Sequence, residues 1–113
     1  MIRRVYKKRE PEVGFDILNH VVELRDVEYS SLAEEKINRL ANLLMYQARH
    51  TKQPCLVLDL SRVQFIGARF IGTLVSVWDY LRKQDRRLVL QGLTPFCNNM
   101  VRKMGLDKVF EIR

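Results

Sequence analysis

The sequence is short of the features that mark most catalytic and membrane-bound classes. It holds two histidines, two cysteines, three prolines and five glycines in 113 residues. So little Pro and Gly excludes a linker-rich or low-complexity chain, and an apolar fraction of 47% excludes disorder. No apolar run approaches the ~20 residues that span a bilayer. Residues 1–12 do not read as a secretory signal, because Lys7-Lys8-Arg9-Glu10-Pro11-Glu12 occupies the place of the apolar run. His20 and His50 have no Cys, His or carboxylate at metal-ligand spacing, so neither a metal site nor acid–base chemistry is expected. Cys55 and Cys97 stand 42 residues apart, outside any redox or metal motif, and are expected as buried free thiols in a reducing cytoplasm.

What the chain has in excess is positive charge, +7 in total. Residues 1–10 carry five cations and one carboxylate, a net of +4, which leaves +3 over the other 103 residues. The length predicts a single domain over 1–113, with 1–12 as a basic N-terminal extension or edge strand.

Periodicity orders the rest. Val5-Tyr6, Phe15 to Leu18 and Val21 to Leu24 read as extended. Ser31 and Glu34 form a capping box for a first helix, whose apolar face is Leu32, Ile37, Leu40, Ala41, Leu44, Met45 and Ala48, ending near His50. Cys55 to Leu60 is too short and too continuously apolar for anything but a buried strand. Val63 to Ile66 lead into a second helix with Phe70, Ile71, Leu74, Val75, Trp78 and Leu81 on one face, ended by Asp85-Arg86. Leu88 to Gly92 is the next strand. Thr94 as N-cap and Pro95 at the first helical position open a third helix, with Phe96, Met100, Val101 and Met104 as its stripe and Gly105 as its left-handed end. Lys108 to Ile112 is a closing strand. Strand and helix alternate, so the expected fold is α/β, a small mixed sheet of about four to five strands with helices packed on it.

Gly67-Ala68-Arg69-Phe70-Ile71-Gly72 has the glycine spacing of a phosphate-binding loop. Thr73 and Leu74 then stand where Lys and Ser or Thr are required, so nucleotide hydrolysis is not expected.

Four segments in order resemble the STAS domain of anti-sigma factor antagonists: Leu56-Val-Leu-Asp-Leu-Ser61, Val63-Gln-Phe-Ile66, Arg87-Leu-Val-Leu-Gln-Gly-Leu-Thr-Pro95 and Met104-Gly-Leu-Asp-Lys-Val-Phe-Glu-Ile112. The resemblance implies a non-catalytic regulatory module without cofactor, whose partner is a protein such as an anti-sigma factor or a serine kinase. Many members carry an Asp-Ser-Ser-Gly loop whose second Ser is phosphorylated. Here Gly67, Ala68, Arg69 and Phe70 occupy those four places, so the usual phosphoacceptor position holds Arg69 and the switch is expected to be lost. The expected partner surface is Gly67, Ala68, Arg69 and Phe70, flanked by Asp59, Ser61, Arg62 and Gln64, with Arg69 meeting a carboxylate or phosphate. Two alternatives stay open. One is phosphorylation elsewhere, at Ser61 above all; the other is nucleic-acid binding through the N-terminal cations and Arg82, Lys83, Arg86 and Arg87. A homodimer also stays open.

Overall fold

The computed structural model describes residues 13–16, 21–30 and 34–113. The expectations for Val5-Tyr6, for Ile17 and Leu18, and for the Ser31 cap therefore fall outside the described residues, as does the 1–12 extension.

Among the described residues, seven strands and three helices follow in the order β1 (Val13–Asp16), β2 (Val21–Leu24), β3 (Glu28–Tyr29), α1 (Glu34–His50), β4 (Cys55–Asp59), β5 (Phe65–Ile66), α2 (Ala68–Arg82), β6 (Arg87–Gln91), α3 (Pro95–Lys103) and β7 (Glu111–Ile112). Five strands form one mixed sheet, in the order β1-β2-β4-β6-β7. Only the β1–β2 pair is antiparallel. Every parallel step is bridged by a helix, as parallel neighbours require: α1 from β2 to β4, α2 from β4 to β6, α3 from β6 to β7.

The sheet centre explains its own sequence. In β4 and β6, Leu56 pairs with Leu88 and Leu58 with Leu90, and all four are buried on the face that joins the helices' apolar residues in one core. α1 contributes Ile37, Leu40, Leu44 and Ala48; α2 contributes Phe70, Leu74, Val77 and Leu81, a row at steps of four, three and four. Burying each such Leu, Phe or Val contributes roughly 1.5–3 kcal/mol.

Several core assignments and one element boundary differ from the sequence expectation. Val77 is buried where Val75 and Trp78 are half-exposed, because the row from Phe70 to Leu81 leaves those two on its flank. Phe96 and Met104 are exposed, since α3 buries only Cys97 and Val101. Cys55 is half-exposed at the start of β4, while the Cys97 thiol is buried. Burial pushes that thiol up, against a smaller opposing hydrogen bond from Thr94. Finally, the closing strand is only Glu111–Ile112, and Leu106–Lys108 form a 3-10 turn.

Two local signals are realised as read. Thr94 Oγ1 accepts from the Cys97 N–H at 3.5 Å with Pro95 at the first helical position. Gly105 has φ of 72°, the left-handed conformation at the end of α3. The Asp85-Arg86 stop also holds: Asp85 takes φ of 57°, and the Arg86 guanidinium donates to the carbonyls of Ala48 and Gln53 and to Thr51 Oγ1. It thereby satisfies a C-terminal carbonyl of α1 that the helix itself leaves without a partner.

Candidate functional site

The strand-to-helix connection from β4 to α2 is built by hydrogen bonds that fix its backbone; Leu60, Val63 and Ile66 anchor it in the core, and the side chains between them face outward. At the end of β4, Asp59 turns inward on its own chain. Its Oδ1 accepts from the Ser61 N–H at 2.8 Å and its Oδ2 from Gln91 Nε2 at 3.2 Å. Partial burial pushes the Asp59 carboxyl up, but the hydrogen bonds from Ser61 and Gln91 and the nearby Arg62 charge outweigh it and hold the group below its ordinary 3.8. Leu60 N–H donates to Gln91 O and Val63 N–H to Leu60 O, closing the turn. β5 then pairs with β3 in a two-stranded parallel ribbon, Glu28 opposite Phe65 and Tyr29 opposite Ile66. The Gly67 N–H donates to Tyr29 O at 3.0 Å, which sets the start of α2.

Gly67 is the N-cap residue of α2 and offers no side-chain acceptor, so the first amides of α2 have no side-chain cap. Arg69 lies in that first turn. Its guanidinium is half-exposed and its Nη1 stands 3.9 Å from Glu34 Oε1 at the start of α1, so the carboxylate it meets is Glu34 and not Asp59.

The eight residues expected at the partner surface divide by their surroundings. Ser61, Arg62, Gln64, Ala68 and Arg69 are exposed on one continuous stretch, and Gly67 is half-exposed. Asp59 braces the turn from within. Phe70 has to be corrected: its side chain is 0% exposed and stacks on Tyr29 with ring centroids 5.1 Å apart, so it supports the loop and cannot touch a partner. Helix periodicity explains this, because Phe70 begins the row that continues through Leu74.

Two residues of this face escaped the sequence reading. Phe65 and Phe96 are 48% and 47% exposed and meet edge to face at 5.7 Å, beside a groove of about 320 Å³ that Gln64, Thr94 and Pro95 complete. The available signal was the one-position offset of Phe96 from the buried Cys97 and Val101. The cations at the far end of α2 are engaged: Arg82 and Lys83 both reach Asp79, at 2.8 and 3.2 Å, and Arg87 reaches Glu111 at 2.6 Å. His50 is exposed and faces the Tyr46 ring. Among the described residues no group of three His, Cys, Asp or Glu side chains comes together, and no helix is long and apolar enough to cross a membrane.

A mixed sheet with helical crossovers, carrying exposed polar groups on the connection between a central strand and a helix, defines a small α/β domain. Residues 31–112 match the family model described as "Mlab, STAS domain", and the chain belongs to the STAS family. It resembles anti-sigma factor antagonists in fold. The STAS domain protein from Planctomyces limnophilus superposes with a TM-score of 0.71 at 20% identity, covering 89% of this chain and 86% of that one. The anti-sigma factor antagonist SpoIIAA in its unphosphorylated form gives 0.71 at 12% identity, covering 89% and 87%. The phosphorylated form of SpoIIAA, a Bacillus cell fate determinant, gives 0.66 at 12% identity, covering 89% and 90%. The comparison with curated proteins gives no match.

Proposed function

We propose that this STAS domain is a regulatory binding module that engages a protein partner through the β4–α2 connection without a serine phosphorylation switch. The partner is of the anti-sigma factor or serine kinase type to which antagonists of this fold answer. Arg69 carries the reading. A guanidinium half-exposed at an uncapped helix start, whose one side-chain contact among the described residues is the 3.9 Å approach to an exposed Glu34, is free to turn to a partner's carboxylate or phosphate. Ser61, Arg62, Gln64 and Ala68 form the surrounding contact surface, and Gly67 lets the partner approach the backbone.

The arrangement speaks against Ser61 as a substitute phosphoacceptor, since the Asp59 carboxylate already accepts the Ser61 N–H and would repel a dianion. Intact-mass measurement after incubation with serine kinases checks this, and the expected result is no added phosphate.

Arg69→Glu is the direct test. An acidic residue in the first turn favours the helix by roughly 0.3–1 kcal/mol, which offsets repulsion from Glu34, and both side chains are exposed enough to swing apart, so the variant keeps its fold. Affinity capture with the wild-type chain should retain a partner that Arg69→Glu does not. Equal capture by both would remove the β4–α2 connection from the interface.

A further inference from the structure

A second surface lies at the opposite end of α2, where Trp78 is ten residues, and so about 15 Å, beyond Ala68. Here α2, the start of β6 and the segment before β7 enclose a groove of about 360 Å³, lined chiefly by Trp78, Arg82, Arg86, Arg87, Val109 and Glu111. The Arg82 guanidinium lies over the Trp78 ring, 5.2 Å from its centroid. Three arginines thus face a single lining carboxylate. The engagement of these arginines does not cancel their charge. Arg82 shares Asp79 with Lys83, and Arg87 shares Glu111 with Arg113, whose Nε stands 3.7 Å from it. Every oxygen that Arg86 meets is neutral: two backbone carbonyls, Thr51 Oγ1 and Gln84 Oε1. Its hydrogen bonds are satisfied while its charge stands without a carboxylate partner among the described residues.

We infer that this groove docks an acidic peptide segment of a protein partner, with carboxylates on Arg82 and Arg87 and an apolar side chain against Trp78. Charge complementarity selects the class of occupant. A phosphate backbone is the poorer fit, because Glu111 lies in the groove wall and repels a continuous line of phosphates. Of its aromatic rings, Phe110 is buried and Trp78 carries Arg82 over one face, which leaves the rest of the indole to an apolar side chain but offers no open platform for a stacked base. A peptide spaces its carboxylates and sets apolar atoms between them. A second copy of this chain docked through the same groove would set like charge against like.

Trp78 is the only tryptophan, so its fluorescence reports the groove directly. The probe is a short peptide of Glu and Leu without aromatic residues, titrated into the full chain beside the same peptide with Lys for Glu and a short DNA duplex. The Glu peptide should shift Trp78 emission saturably and the Lys peptide should not. Arg82→Gln with Arg87→Gln should weaken that binding at least about tenfold. Glu111→Gln, which removes the lining carboxylate, should tighten it. Arg69→Glu should leave it unchanged, which separates this groove from the β4–α2 connection. No saturable shift with the Glu peptide, or tighter binding of the duplex, overturns the inference. So does wild-type affinity in the arginine variant, or weaker binding in Glu111→Gln.

Discussion

Phe70 shows how one residue can belong to a recognised loop and serve it only from beneath. Fully buried against Tyr29, it is expected to cost about 3–5 kcal/mol when truncated to Ala, measured by urea unfolding. Trp78→Ala should cost less, because Trp78 keeps part of its ring in solvent. Asp59 gives a pH signature. Its carboxyl is held below 3.8 in the folded chain, so its contribution is complete above that value and fades as pH falls through the lowered folded value. Wild type should therefore exceed Asp59→Asn in stability near neutral pH, with the gap narrowing as pH falls below 3.8; a gap constant with pH would contradict this. The partner of Arg69 could not be read from the chain. Glu34 lies 35 positions earlier, and nothing local in the sequence says that the starts of α1 and α2 are neighbours.

At the scale of elements, legibility follows how local the cause is. The start of α3 depends on Thr94 and Pro95 alone and was readable; Thr94→Ala should cost about 1 kcal/mol in a denaturant titration. Gly92 mixes local and remote causes, with a local φ of 72° and a Cβ position only 3.1 Å from the Ser61 Cβ, a neighbour remote in sequence. Gly92→Ala is expected to cost about 1–2 kcal/mol from the left-handed backbone, and to displace the Ser61 turn as well. The ribbon of β3 and β5 was not readable, because each strand is two residues long and pairs Glu28 with Phe65, 37 positions away. For that reason Val63 to Ile66 read as the approach to the second helix, with no strand partner indicated. Phe96 and Met104 misled in the opposite direction: apolar residues at near-helical spacing pass for a core face, and only the limited cover over α3 leaves them in solvent.

For the whole molecule, the alternation of strand and helix was enough to give the mixed sheet, since parallel strands need crossovers and this chain has three helices to supply them. The placement of the surfaces was less open to reading, because it depends on which ends of α2 the topology exposes. One end carries the β4–α2 connection and the other the arginine groove, and α2 is packed on β6 between them. The β3–β5 ribbon adds a different kind of connection. It fastens the segment before α1 to the segment before α2, with the Gly67 amide on Tyr29 O and the Gln64 amide on Val27 O. The ribbon therefore works as a tie-rod between two helix entrances, and load placed on one end is borne by the other. On the proposed engagement of Arg69 by a partner, the amide protons of Gln64 and Gly67 should exchange more slowly with deuterated solvent, together with the backbone around Tyr29.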